Sequence, residues 1–207
     1  MKLASTLMVI GSALLLGLFI FPLWHVELVA PQYPKGLGMN IHLDGIIGYT
    51  KHDIHNIDGL NHYIGMKTLP KKEDMWEFVV FPIVVGSMAI LGIIIGLFGF
   101  FKKSAYKWFM GWFILMTVLG IIGMIDFNAW MTDYGTNLDP KAIMQMTDDF
   151  GNPMSYKPPL FGSKDILNFT AVSYPSMGGI LLGVGMALTF ISFFIGKKFN
   201  SKNQINL

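Results

Sequence analysis

Four stretches of the chain are apolar and long enough to cross about 30 Å of hydrocarbon, which takes about 20 helical residues. They are Leu3–Trp24, Phe78–Phe101, Trp108–Ile125 with a continuation to Trp130, and Ala171–Gly196. The second and fourth carry no charge at all. Two long polar stretches, 25–77 and 131–170, and one short link separate them. The pattern predicts an all-α integral membrane protein, a single membrane domain over 1–207. Its two long loops, external to the membrane, are expected to form a small mixed cap.

Could the first segment be a cleaved signal peptide? Its charged start is only Lys2, and its apolar run exceeds the usual 7–15 residues. It ends in Phe21-Pro22-Leu23-Trp24 with no small-x-small site, and Trp24 suits an interfacial belt. A retained helix is the expectation, with Pro22 tolerated near its outer end.

Inside the first loop the periodicity changes. His25-Val26-Glu27-Leu28-Val29 alternates and reads as a short strand, and Met39-Asn40-Ile41-His42-Leu43 alternates again and is placed to pair with it. Between them Pro31, Pro34, Gly36 and Gly38 exclude helix and predict irregular chain. From His52 onward, Leu60, Tyr63 and Ile64 suit one or two short amphipathic helices, ended by Pro70. The second loop is rich in turn formers, at Asp133-Tyr134-Gly135, Asn137 to Pro140, Asp148 to Pro153 and Pro158-Pro159.

Composition strengthens the membrane reading. The chain is 53% hydrophobic and 14% charged, whereas soluble domains carry about a quarter charged residues. Charge placement then gives orientation. Lys102, Lys103 and Lys107 crowd the link between the second and third segments, and Lys197, Lys198 and Lys202 follow the fourth. No acid accompanies them, so both termini and the link are expected in the cytoplasm. The two loops, with Asp126, hold all 13 acids against eight lysines. The net charge of +2 is thus a basic edge minus an acidic face, and says nothing of nucleic acid. Glycines at Gly92 and Gly96, and at Gly179 and Gly183 with Gly185 beyond, have the small-xxx-small spacing that lets helices approach in lipid. They predict a packed bundle or an oligomer face on the second and fourth helices.

All five histidines, His25, His42, His52, His55 and His62, lie in the first loop, and the chain has no cysteine. Imidazole is the commonest metal ligand, and thioether sulfur selects soft ions, copper(I) above all. His62 and Met66 are four apart and would share a helical face. Met39 and His42 are three apart in a strand, a weaker pair, because their side chains would point to opposite faces. The candidate metal set is His62, Met66, His25, His42 and Met39, with copper as the expected ion. His52 and His55 look like a solvated face. Glu27, Asp126 and Tyr63 are candidates to orient the imidazoles or handle protons. The bland readings stand beside these: surface or core for each His and Met, an interfacial acid for Asp126, core filler for the methionines. Haem, P-loop and Gly-x-Ser-x-Gly signatures are missing. Asn168-Phe169-Thr170 matches a glycosylation sequon only as a three-residue pattern.

Several strings carry a resemblance. Trp24, Ala30-Pro31-Gln32-Tyr33-Pro34-x-Gly36-Leu37, Leu60-Asn61-His62-Tyr63-Ile64-Gly65-Met66, Asp126-Phe127, Asp133-Tyr134-Gly135-x-Asn137-Leu138-Asp139-Pro140 and Pro158-Pro159-Leu160-x-Gly162 resemble one group. It is a set of small four-helix bacterial inner-membrane proteins associated with gene clusters for nitrous oxide reductase and its copper maturation. The resemblance implies a periplasm-facing accessory protein that binds copper or docks a membrane or periplasmic partner of a copper enzyme. Such a protein would mature that enzyme or supply it with electrons, and would itself make no bonds. Two alternatives remain: a structural membrane subunit whose histidines are ordinary polar contacts, and a quinol-oxidising subunit with Asp126 or His25 as proton acceptor.

Overall fold

The computed structural model describes residues 1–147 and 151–205, so the turn expected at Asp148, Asp149 and Phe150 lies outside the described residues. In chain order the elements are α1 (Lys2–Leu14), β1 (Trp24–Ala30), β2 (Tyr33–His42), β3 (Gly45–Gly48), α2 (Asp53–Ile64), α3 (Glu77–Phe98), α4 (Tyr106–Thr136), β4 (Gly162–Ile166), β5 (Phe169–Pro175) and α5 (Met177–Ile205). They group into two compact units. One, residues 1–21, 79–122 and 177–207, is helical; the other, residues 22–78 and 123–176, holds the sheet.

Four helical stretches are long and apolar enough to cross a membrane: Lys2–Phe19, Glu77–Phe98, Tyr106–Thr136 and Met177–Ser201. Within the helical unit, large apolar side chains such as Ile83, Ile90, Ile94 and Ile121 remain exposed. Helices apolar on all sides suit a hydrocarbon surround. Of the expected glycines, Gly92, Gly96 and Gly185 work inside this unit, whereas a Cβ on Gly183 would meet nothing. A Cβ on Gly92 would meet the Ser12 side chain and Trp112, and one on Gly96 would meet Val9. Gly185 lies against the backbone of Gly11. The Ser192 hydroxyl donates to the Ala4 carbonyl at 2.7 Å, tying α5 to α1, and the Trp112 indole donates to the Met88 carbonyl at 2.9 Å, tying α4 to α3.

The all-α expectation is overturned by a five-stranded antiparallel sheet in the order β3-β2-β1-β5-β4. Three local readings explain the miss. Hydropathy merged Ala171–Pro175 with the fourth helix, but those residues belong to β5; its alternate side chains Ala171 and Ser173 are buried, and Pro175 closes it. The proline- and glycine-rich run expected to be irregular is largely strand, Tyr33–Gly38, within β2. Proline is tolerated there because β3 pairs only with Met39–His42, which leaves that part of β2 an open edge on one side. The first helix is also shorter than expected. α1 tightens into a 3₁₀ stretch, Leu15–Phe19, and Trp24 is not on a helix at all.

In the other direction, α4 runs past Trp130 to Thr136 and absorbs the expected turn at Asp133-Tyr134-Gly135. Gly135 is needed there for a different reason: a Cβ would fall 2.4 Å from the Lys157 Cα.

The larger of two buried apolar clusters in the sheet unit lies on one face of the sheet. Trp24, Val26 and Leu28 of β1 register against Ile41, Met39 and Leu37 of β2. With Ile57 and Leu60 of α2 and Phe127, Trp130 and Tyr134 of α4 they form a single cluster. Burial of that many apolar side chains, each worth about 1.5–3 kcal/mol, stabilises the unit. The start of α2 is tied to the sheet by Asp53, a buried carboxylate. It accepts from the Gly38 N–H at 3.2 Å, the Thr50 N–H at 3.0 Å and the Thr50 hydroxyl. Burial pushes its pKa up, but these bonds and the nearby His52 outweigh burial and hold it below the ordinary carboxylate value.

Candidate functional site

Because strand side chains alternate, the residues between the core positions of β1 point to the opposite face. There His25 registers with Asn40 of β2 on one side and Tyr174 of β5 on the other, and Asn40 registers with Ile47 of β3. His25 is only 4% exposed. Its cover is aromatic: the Tyr49 ring meets it edge-on at 5.0 Å, and the Tyr174 ring lies tilted at 4.9 Å. Tyr49 sits over Gly38, where a Cβ would come within 3.0 Å of its ring. Any other residue at 38 would displace that ring.

The polar contacts orient the imidazole. Its Nδ1 is 2.9 Å from the Asn40 Oδ1, so the amide oxygen accepts from Nδ1–H and leaves Nε2 free. Nε2 in turn lies 4.0 Å from a carboxylate oxygen of Glu27, the next residue on the same face. The Tyr174 hydroxyl is pushed above the ordinary tyrosine value, first by partial burial, then by the Glu27 carboxylate and Tyr49. The arrangement sets a buried, oriented imidazole beside a carboxylate, beneath two tyrosines. Around it the face is apolar and exposed, with Tyr49 at 65% and Ile47 at 57%, and Val29 and Tyr174 also exposed.

How do the predicted ligands fall on this frame? Met39 is buried on the core face opposite His25. His42 is half-buried at the end of β2 and registers with Gly45. His62 is exposed on α2, its ring 6.5 Å from that of Tyr63. Met66 does not share its face. α2 ends at Ile64 with Gly65 in the left-handed region at φ 81°, and the chain turns there. Met66 then packs, partly buried, against the apolar clusters of the sheet unit. Asp126 is half-buried in α4. Of the three supporting residues, Glu27 faces His25 and Tyr63 has its ring edge-on to that of its neighbour His62. The structure thus pairs His25 with Glu27 and does not bring the other candidates to a common point. Among the described residues no group of three or more His, Asp or Glu could hold a metal.

A second neighbourhood arises at the end of α2. The Asp139 N–H donates to the Gly65 carbonyl at 2.8 Å and the Met144 N–H to the Tyr63 carbonyl at 2.9 Å. A Cβ on Gly65 would clash with Asp139 and Ala142, so the segment runs close against the turn. It carries Met144 and Met146, both exposed, and its backbone bond to Tyr63 falls one residue after the exposed His62. The Met154 N–H then donates to the Met146 carbonyl at 2.9 Å.

Sequence reasoning missed Tyr49, Tyr174 and Asn40 around His25, and the backbone bond that ties Met144 to the end of α2. Asn40 was within reach, since it shares its strand face with His42. Tyr174 was hidden because its strand was taken for helix.

Comparison with protein-family models, with curated proteins and with solved structures gives no match.

Proposed function

We propose that this is a membrane-anchored accessory protein. Its four apolar helices hold it in the bacterial inner membrane with both termini cytoplasmic, and its sheet unit docks a protein partner by the face that carries His25. The partner is a periplasmic or membrane component of a copper-dependent respiratory enzyme, nitrous oxide reductase in the resemblance above. One observation carries the docking assignment. Ile47, Tyr49, Tyr174 and Val29 are exposed apolar or aromatic side chains grouped on one sheet face around a buried, oriented histidine. Tyrosine is enriched at interfaces because it offers apolar area and a polar tip at low entropic cost.

The test is made in cells that reduce nitrous oxide. Deletion of the protein is expected to stop nitrous oxide consumption, and Ile47→Asp/Tyr49→Ala to reproduce the loss with a normal amount of protein in the membrane. Truncating a central aromatic costs about 2 kcal/mol or more at an interface, roughly thirtyfold in affinity. Full consumption in the double variant would remove the docking face.

A second reading has its own observation: Met144 bonds through its backbone to Tyr63, the residue after exposed His62, and Met144 and Met146 are exposed. Thioether and imidazole ligands there would suit copper(I). Competition with a chromophoric chelator is expected to show stoichiometric binding that weakens at least about tenfold in His62→Ala/Met144→Ala, as loss of principal ligands should. Met66→Ala is expected to leave it unchanged. No binding by the wild type, or loss with Met66→Ala alone, would sink this version of the site.

A further inference from the structure

The helical unit has a charge pattern that membrane spanning alone does not require. Residues 1–21, 79–122 and 177–207 contain seven lysines, Lys2, Lys102, Lys103, Lys107, Lys197, Lys198 and Lys202, and not one aspartate or glutamate. The ends that carry them meet. An open cleft of about 500 Å³ is lined by Lys2 and Leu3 from the start of α1, by Gly99, Phe100 and Phe101 after α3, and by Phe199 of α5. Its size falls within the roughly 300–1,000 Å³ of small-molecule sites. Gly99 lets the helices close around it, since a Cβ there would meet Ser5 and Phe109. Phe101 is almost fully exposed, as are Leu3 and Phe100 in part. Two of the lysines lie over aromatic rings: Lys102 Nζ is 5.5 Å from the Phe98 ring centre, and Lys197 Nζ is 5.9 Å from that of Phe193.

We propose that this cleft binds an anionic phospholipid of the surrounding bilayer. The phosphate would take Lys2 and Lys102, and acyl chain would cover Leu3, Phe100 and Phe101. A site with apolar walls and a cationic rim fits a ligand that is itself half anion and half hydrocarbon. Basic pockets between transmembrane helices hold such headgroups for the same reason. A free phosphate would leave the phenylalanines bare. The inference rests on the membrane reading of the four helices, which a separate measurement checks: the chain should stay with membranes after alkaline carbonate extraction.

The experiment uses the detergent-purified full chain, with phosphatidylglycerol and phosphatidylcholine titrated in mixed micelles and bound lipid counted by native mass spectrometry. One phosphatidylglycerol per chain is expected, held in preference to phosphatidylcholine. Lys2→Gln/Lys102→Gln should bind it roughly thirtyfold more weakly, on the scale of about fivefold per lysine. Lys107→Gln/Lys197→Gln removes the same charge at residues that neither line the cleft nor adjoin a lining residue in the chain, and should cost about twofold at most. All four lysines are exposed, so both variants should fold. Equal loss in the two variants, equal binding of the two lipids, or full displacement by millimolar inorganic phosphate would each overturn the site. Release by carbonate would instead overturn the membrane reading.

Discussion

Replacing Trp24 with alanine is expected to remove about 3–5 kcal/mol from the sheet unit, the usual cost of truncating a buried large aromatic. Domains hold about 5–15 kcal/mol in total, so a loss of this size brings unfolding into the physiological range. The case rests on how many partners the indole has. Trp24 is 9% exposed, registers between Ile41 and Pro175, and meets the rings of Phe127 and Phe161 edge-on at 5.7 and 4.8 Å. Its Nε1–H donates to the Ser173 hydroxyl at 2.8 Å, across to β5. Ser173 in turn donates to the Leu160 carbonyl at 3.2 Å. Trp24→Phe keeps most of the packing and loses only the indole N–H, so it should cost about 1 kcal/mol. Thermal unfolding followed by far-ultraviolet circular dichroism ranks the three proteins. Alanine and wild type melting together would mean that Trp24 lies in a lipid interface, as hydropathy alone suggests, and not in this core.

That contrast marks where the sequence was legible. The four apolar helices could be found because a long uncharged run has almost no other physical explanation than burial in hydrocarbon or in a very large core. The pairing of His25–Val29 with Met39–Leu43 was also legible, since both segments alternate and lie a short loop apart. The fifth strand was not. Ala171–Pro175 is apolar and directly precedes a helix, and hydropathy has no period by which to divide the two. Its pairing partner, β1, lies about 145 residues upstream: Trp24 registers with Pro175. No local signal reports such a contact, and with it went Tyr174 and the aromatic cover of His25.

The metal reading failed to converge for a related reason. His62 and Met66 would share a face only if the helix continued, and Gly65 ends it between them. Glycine followed by a change of direction is a known stop signal, so this was recoverable. The docking of the Met144 segment on the end of α2 was not, because it depends on backbone bonds between two distant stretches of chain.

Gly185→Leu is expected to disrupt the helical unit, while Gly183→Leu, two residues away on the same helix, is tolerated. A Cβ on Gly185 would lie 2.6 Å from the Gly11 carbonyl oxygen, and one on Gly11 would lie 2.7 Å from that of Gly185. The obstruction is backbone against backbone from both sides, so no side chain can swing away to relieve it. Overpacking a tight contact typically costs about 1–3 kcal/mol, occasionally more. In lipid the loss is harder to offset, because helices associate there through close packing and not through exclusion of water. The Ser192 bond to Ala4, which needs the same α1–α5 spacing, should be lost with it. At Gly183 a Cβ meets nothing within 4 Å, so leucine there only adds apolar surface. Size-exclusion profiles and melting in detergent separate the two variants. If Gly183→Leu proved as damaging as Gly185→Leu, that side of α5 would be covered by another chain. The glycine spacing would then serve an oligomer as well as the bundle.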